Sequence, residues 1–308
     1  MISIVLMPSG IEYIKYLREV AQHYDVFIVE SPNTESVRQY LSGEINIDQL
    51  LYDIEYFNID YTREFYKALR EFNEYGIDVI PVDPYSVISV GIRIKAMLHN
   101  LDYKSLSSDG RYVAFMELKI AEAHRAYNSA LLRGDFEDAV RWLIKYARLD
   151  AERIKFRSEL RAREIVKILR NLGKPHDVLI HADHYNEVLV NYLGKKLMCM
   201  PSVIRLDDVA CKRLGVRPLI HPGIKLTNNY VYGMPMNKGE EYLLASRAMI
   251  YALLKARIFG RVNRRMLGDK AILIDNSLKR LAYRLSIDDA KDIFRKLMMP
   301  GSIFKVRV

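Results

Sequence analysis

Residues 2–30 read ISIVLMPSGIEYIKYLREVAQHYDVFIVE, and their pattern indicates the architecture of the protein. The stretch begins with a continuous apolar run, Ile2–Met7, which ends at the turn Pro8-Ser9-Gly10. Apolar residues then recur at helical spacing over 11–21, and a second apolar run, DVFIVE (25–30), follows. The pattern predicts a strand, a helix and a second strand, and continuous apolar strands are typical of a parallel sheet covered on both faces.

The same pattern resumes further along the chain. IDVIPV (77–82) predicts a third strand, and DVLIH (177–181) predicts a fourth. Residues 85–172 show helical periodicity with dense charge, which predicts a helical insertion between these two strands. The fold class expected is therefore α/β, a mostly parallel central sheet with helices on both faces and a helical insertion between strands three and four.

The C-terminal part of the chain carries shorter patterns. Four further strands are predicted, over 202–206, 217–221, 230–232 and 271–275. No sharp boundary between domains is visible in the sequence. We therefore expect a single α/β domain over 1–308, with the helical insertion at 85–172 and a basic C-terminal helical region at 239–308.

Composition places the chain among soluble globular proteins. The 308 residues are 50% hydrophobic and 28% charged, which excludes disordered and collagen-like classes. The two cysteines, Cys199 and Cys211, form no disulfide framework. No stretch approaches the roughly 20 apolar residues of a membrane span, so we expect a cytoplasmic protein without a membrane partner. Scarce glutamine beside abundant lysine, arginine and glutamate is typical of proteins from hot environments.

The net charge of +9 is unevenly distributed. Residues 1–100 hold 8 basic and 15 acidic residues, residues 101–200 hold 18 and 14, and residues 201–308 hold 21 and 9. The chain is thus acidic at its start and basic at its end. Such a gradient indicates either an anionic partner for the C-terminal third or two halves of the chain that attract each other.

Ionisable residues follow the predicted strands at the points where ligands bind in an open parallel sheet. Glu30 ends the second strand, Asp83 follows the third, and His181 ends the fourth. Glu30 is a candidate general base or metal ligand, and the alternative is a helix cap or a salt bridge. For Asp83, the alternative is a cap of the helix that follows Pro84.

The segment His181-Ala182-Asp183-His184 carries two imidazoles and a carboxylate. It could supply two metal ligands or an acid–base histidine oriented by a carboxylate. Alternatively, Asp183 caps the next helix and His181 only packs. A divalent metal, held by nitrogen and oxygen ligands that suit zinc, manganese or iron, is therefore a candidate cofactor. The candidate ligands are Glu30, Asp83, His181 and His184.

Arg153, Arg157 and Arg161 recur one helical turn apart in the predicted insertion. Either the three arginines form a solvated, ion-paired helix face, or one of them reaches over the edge of the sheet and holds an anion.

Four segments, taken in order, resemble a known superfamily. They are the strand ending in Glu30, NEYGIDVIPVDPY (73–85), RSELRAREI (157–165) and VLIHADHYNEVLVNYL (178–193). Together they resemble the erythromycin esterase, ChaN-like and TraB/TIKI proteins over roughly residues 1–195. In that family the first strand is followed by a turn with a histidine, whereas this chain reads Pro8-Ser9-Gly10. Either His181 replaces that histidine or the site binds without cutting.

The resemblance implies a hydrolase-like site for a small-molecule or peptide substrate. Glu30 matches the family's glutamate as general base or ligand, and His184 matches its second histidine as acid–base group or ligand. Arg157 matches the family's arginine, which would stabilise developing negative charge.

The alternative function is the binding of nucleic acid or another anionic ligand. Arg257, Arg261, Arg264 and Arg265 would share a face of one helix if that helix ran through Gly260. Such a stripe could contact phosphates, or it could be a solvated face that docks on the acidic N-terminal half. The tyrosine-rich stretch 52–75 could be an oligomer interface or a helix pair.

Overall fold

A computed structural model describes residues 1–54, 58–98, 102–173, 176–183, 187–260 and 264–299. The chain divides into two compact units. Unit 1 comprises Met1–Ala114 and Ile154–Arg213, and unit 2 comprises Phe115–Arg153 and the chain from Leu214 onward. The sequence predicts one domain; the division arises because the long helices of the insertion contribute buried residues to a core with the C-terminal helices.

The sheet of unit 1 has five strands, all parallel, in the order β3-β2-β4-β1-β5. Its strands are β1 Ile2–Met7, β2 Val26–Val29, β3 Asp78–Pro81, β4 Val178–Asp183 and β5 Ser202–Arg205. The predicted α/β fold class is confirmed, and the sheet is wholly parallel within the described residues.

Helices surround this sheet. Those of unit 1 are α1 Ile14–Ala21, α2 Glu35–Ser42, α3 Ile47–Asp53, α4 Ile59–Glu74, α5 Pro84–Met97, α8 Glu187–Leu197 and α9 Leu206–Arg213. Two long helices, α6 Ser108–Leu132 and α7 Phe136–Asn171, are each divided between the two units. Residues 108–114 and 154–171 belong to unit 1, and residues 115–132 and 136–153 belong to unit 2. Short 3-10 turns lie at Ile11–Tyr13 and Tyr103–Ser105. The predicted insertion is therefore helical, as expected.

Strand side chains alternate between two covered faces. Ile4, Ile28 and Ile180 pack with Ala162 and Ile165 of α7 on one face. On the other face, the ring of Phe27 in β2 lies edge-on to Phe72 of α4, with centroids 5.5 Å apart. Since β4 is in register with β2, His181 follows Leu179 onto this second face, where it contacts Phe27.

Unit 2 is helical in its described part. Its helices are α10 Pro222–Val231, α11 Lys238–Phe259, α12 Arg264–Leu267, α13 Asp269–Arg284 and α14 Ile287–Met298, together with most of α6 and the first half of α7. The core contains Met249 and Leu254 of α11, and Phe136 lies edge-on to Phe294 at 5.5 Å. A buried carboxylate, Asp275, lies between two lysines of this unit.

Three of the C-terminal strand predictions are wrong. Residues 217–221 have no regular structure, 230–231 end α10, and 271–275 lie within α13. The run AILID (271–275) reads as a strand because a short apolar segment has no period of its own. The buried positions of α13 include Ala271, Ile272, Asp275 and Asn276, which is a helical spacing.

Candidate active site

The carboxyl ends of β1 to β4 meet around one cavity of unit 1. It encloses about 490 Å³. Its walls are formed by Ser9, Glu30, Pro32, Asn58, Tyr61, Thr62, Phe65, Tyr66, Asp83, Ser86, Arg157, His181 and Asp183. The sheet order places β2 between β3 and β4, so the residues that end these strands become neighbours.

Glu30 is buried between two guanidinium groups. Arg161 Nη1 donates to Glu30 Oε2 at 2.9 Å, and Arg157 Nη2 lies 3.0 Å from Glu30 Oε1. The backbone N–H of Asp183 also donates to Oε2, at 2.9 Å. Arg161 is fully buried, and it further donates to the carbonyl oxygens of Val82 and His181, each at 2.9 Å. Arg161 thereby joins the ends of β2, β3 and β4.

These guanidiniums keep Glu30 ionised. Burial alone would raise the pKa of the Glu30 carboxyl group, but the charge of Arg161 and then that of Arg157 outweigh it and lower the pKa to about 2. A carboxylate with this pKa and with both oxygens bound is a weak proton acceptor near neutral pH. Glu30 is therefore placed to orient two arginines, and its contacts do not suit the role of general base that the sequence predicts for it.

Asp83 holds Arg157 from the other side. Arg157 donates to Asp83 through Nε at 3.2 Å and through Nη2 at 2.5 Å, a bidentate contact. Asp83 also caps α5, where it accepts hydrogen bonds from the backbone N–H and the hydroxyl of Ser86. The helix-cap alternative for Asp83 is thus confirmed, and the ion pair to Arg157 accompanies it.

His181 presents an unpartnered nitrogen in this site. The backbone N–H of Glu30 donates to Nδ1 at 3.4 Å, which assigns the imidazole proton to Nε2. The side chain is buried, and Nε2 has no hydrogen-bond partner within the described residues. Burial lowers the pKa of His181 to about 4, and the arginine charges act in the same direction while Glu30 opposes them. The ring is therefore neutral at pH 7 and offers one N–H donor.

Asp183, Ser9 and Tyr61 form the remaining polar wall. β4 continues through Asp183, and α8 is described from Glu187. The residues between them, which the predicted helix cap involves, lie outside the described part. Ser9 Oγ donates to Asp183 Oδ2 at 3.4 Å, and Tyr61 lines the same cavity. Asn58 caps α4 by accepting from the backbone N–H of Tyr61 at 3.1 Å, which fixes where α4 begins.

An aromatic surface faces these polar groups. Tyr61 stacks on Phe65 with ring centroids 5.6 Å apart, and Phe65 lies 5.1 Å from the ring of His181. Tyr66 is bound through its hydroxyl to Ser31 Oγ at 2.6 Å. The cavity can therefore hold an apolar group beside hydrogen-bonding groups.

The sequence predictions for the site have mixed outcomes. The structure brings Glu30, Asp83 and His181 together, as expected from their places at strand ends, and Arg157 of α7 joins them. His184 lies outside the described residues. Arg161 was predicted only as one of three arginines on a helix face, and the structure shows that it reaches the sheet edge and binds Glu30. The sequence gave no signal for Tyr61 as a site residue.

The predicted metal set does not assemble in the described part of the chain. No three histidine, cysteine, aspartate or glutamate side chains there form a group that could hold a metal ion. The physical reason is that guanidinium groups occupy the oxygens of Glu30 and Asp83. The fourth predicted ligand, His184, is outside the described residues.

The predicted arginine face of unit 2 is interrupted. The helix α11 ends at Phe259, short of Gly260, and Arg264 and Arg265 begin the separate helix α12. Arg261 and the side chains of Arg264 and Arg265 lie outside the described part. Arg257 is half-buried in the last turn of α11. The predicted single helix face is therefore not formed.

A comparison with known proteins finds a similar archaeal protein. The chain is 25% identical over 252 residues to an uncharacterized protein of Archaeoglobus fulgidus, and the match covers 82% of each chain. No family model matches the sequence, and no solved structure matches it. The resemblance to the erythromycin esterase, ChaN-like and TraB/TIKI proteins stays a prediction. Among the described helices, none combines the length and apolar character needed to cross a bilayer.

Proposed function

We propose that the protein is a hydrolase that cleaves an ester or amide of a small molecule in the cavity of unit 1. The observation that supports this proposal is the buried Nε2–H of His181, which has no hydrogen-bond partner among the described residues and lies in one cavity with Arg157 and Asp183. A buried donor without a partner costs about 1–3 kcal/mol. An acceptor on a bound substrate would satisfy it.

The acceptor fits the carbonyl oxygen of a substrate. Arg157 uses Nε and Nη2 for Asp83 and Glu30, and Nη1 has no partner within the described residues. Nη1 and the Nε2–H of His181 are therefore two donors for an oxygen that becomes negative during attack. Removing one such donor typically lowers kcat by about 100- to 1000-fold. Glu30 and Asp83 act as positioning residues, because they hold Arg157 in place.

Asp183 is the general base in this proposal. It ends β4 at the cavity, where Ser9 Oγ lies 3.4 Å from its Oδ2. Glu30 cannot take this role because its oxygens bind Arg157 and Arg161. A water molecule beside Asp183 would lose its proton to the carboxylate as its oxygen attacks the carbonyl carbon.

The test is a panel of ester, amide and phosphoester substrates offered to the purified protein, with metal content measured in parallel. We expect hydrolysis of a carboxylic ester or amide, and a fall in kcat of about 100-fold or more in Asp183→Asn. Glu164→Gln, on the exposed outer face of α7, is the matched control and should keep full activity. Absence of turnover across the panel, or equal rates in Asp183→Asn and the wild type, would contradict the proposal.

A further inference from the structure

We infer that the cavity of unit 1 selects substrates with a flat aromatic ring bonded close to the carbonyl group, and that Phe65 determines this selection. This assignment rests on the proposed hydrolysis and names the class of its substrate. The observation that carries it is the place of Phe65, whose ring lines the cavity and lies 5.1 Å from the ring of His181. The group that would hold the carbonyl oxygen is therefore a direct neighbour of an aromatic surface.

Two rings of α4 form this surface. Tyr61 and Phe65 are four residues apart, so their side chains lie on the same side of the helix. Their ring planes differ by 18°, with centroids 5.6 Å apart, and both residues line the cavity. The Asn58 cap fixes the first turn of α4 and thereby the position of Tyr61. The pair is thus placed by the backbone and offers flat carbon surface to a bound molecule.

The surroundings of Phe65 favour an apolar group. Phe65 and Tyr66 are both buried, and their rings meet edge-on with centroids 6.0 Å apart. The hydroxyl of Tyr66 is hydrogen-bonded to Ser31 Oγ at 2.6 Å, so the polar end of this side chain is already satisfied. A charged group of a substrate placed against these rings would lose water and gain no hydrogen bond from them, which is costly.

A flat ring suits this surface better than an aliphatic ring of the same carbon number. Aromatic rings attract one another in edge-on or offset-stacked arrangements, and this attraction adds to the gain from burying apolar area. Phe65 already makes both arrangements, since it stacks on Tyr61 and lies edge-on to Tyr66. A cyclohexyl ring is thicker and has no such complementarity. The cavity of about 490 Å³ has room for a phenyl group and the carbonyl group that it carries.

The distance between the two rings limits where the aromatic group is bonded. A carbonyl oxygen that accepts from Nε2 of His181 would lie about 3 Å from that nitrogen. Phe65 is the ring next to this imidazole, so a substrate ring one or two bonds from the carbonyl carbon reaches it. A ring at the end of a long chain would lie beyond it. The phenylacetyl group has the required spacing.

The test compares methyl phenylacetate with methyl cyclohexylacetate, which share a leaving group and differ only in the ring. We expect kcat/KM of the wild type to be about 10-fold higher for the phenylacetate. Phe65→Leu should reduce this ratio to less than about twofold, whereas Phe65→Tyr keeps an aromatic ring and should retain it. Phe72→Leu is the matched control, because Phe72 is a buried aromatic residue of the same helix that does not line the cavity. It should leave the ratio unchanged.

Two results would overturn the selectivity: a wild-type ratio below about twofold, or an unchanged ratio in Phe65→Leu. In both cases the wild type still cleaves the esters, so the proposed function stands. Circular dichroism checks that each variant folds, and Tyr61→Leu, with the same expected loss of the ratio, takes the place of a Phe65→Leu that does not.

Binding separates the two proposals if the wild type cleaves neither ester. Phenylacetone and cyclohexylacetone carry the same rings beside a carbonyl group that cannot be hydrolysed, and isothermal titration calorimetry measures their binding. Tighter binding of phenylacetone that is lost in Phe65→Leu would support the aromatic selectivity while the proposed hydrolysis fails. Equal binding of the two ketones would overturn the selectivity as well.

Discussion

Replacing Glu30 by glutamine should strongly destabilise unit 1, because it leaves two guanidinium groups without their shared anion. The side chains of Arg161 and Glu30 are 0% and 4% exposed. Removing one partner of a buried ion pair typically costs about 3–5 kcal/mol, since the other charge stays buried and uncompensated. Glutamine keeps the size of the side chain, so lost packing contributes little. We expect Glu30→Gln to lower the free energy of unfolding by this amount.

A double-mutant cycle with Arg161→Met separates the ion pair from other effects. The methionine also removes the hydrogen bonds of Arg161 to Val82 and His181, so it is costly alone. In the double variant no unpaired charge remains at position 161. Its cost should therefore be smaller than the sum of the single costs, by about 1–3 kcal/mol.

Urea denaturation followed by circular dichroism measures these free energies, and hydrogen exchange of the β2 and β4 peptides locates the loss. The single tryptophan, Trp142, lies in unit 2, so its fluorescence is not the probe for this change. Glu164→Gln breaks an exposed pair with Lys167 and should cost less than about 1 kcal/mol. A cost below about 1 kcal/mol for Glu30→Gln, or single costs that add within about 0.5 kcal/mol, would refute the reasoning.

Three further predictions concern pH, kinetics and unit 2. The pKa of His181 is about 4 in the folded protein and 6.5 in the unfolded chain, so between these values a proton binds the unfolded chain and not the folded one. The free energy of unfolding of the wild type should therefore fall by about 3 kcal/mol between pH 7 and pH 4, relative to that of His181→Gln. Urea denaturation at each pH measures this difference. Arg157→Lys loses the bidentate contact to Asp83 and should lower kcat on the preferred ester by about 100-fold with little change in KM; an unchanged kcat would exclude Arg157 from the reaction. Asp275→Asn removes the anion that lies 2.9 Å from the buried amine of Lys279, and it should lower the free energy of unfolding of unit 2 by about 3 kcal/mol. Denaturation monitored by tryptophan fluorescence measures this loss, and a loss below about 1 kcal/mol would mean that the ion pair contributes little.

The strand ends could be predicted from the sequence because continuous apolar runs in a βαβ order imply a parallel sheet. That inference places Glu30, Asp83 and His181 at one edge before any contact is known. It also misreads 271–275, since a short apolar run is equally compatible with the buried side of a helix. The helix α13 shows its period only over its whole length.

The partners of these residues could not be predicted in the same way. Arg161 lies 131 positions from Glu30, and on a highly charged helix it resembles a solvated arginine. Ser9 lies 174 positions from Asp183, and their contact depends on the β1–β4 register. Tyr61 precedes Phe65 by one helical turn, which reads as an ordinary aromatic stripe. The pairing of strands and the start of α4 decide these contacts, and neither is encoded locally.

The most direct test of the proposed hydrolysis is a crystal structure with a phosphonate monoester of the benzyl series, whose charged oxygen mimics that of the attacked carbonyl. We expect the compound in the cavity of unit 1, with one phosphonyl oxygen within hydrogen-bond distance of Nε2 of His181 and of the Arg157 guanidinium. An empty cavity with saturating compound, or a compound whose phosphonyl oxygens contact neither His181 nor Arg157, would contradict it.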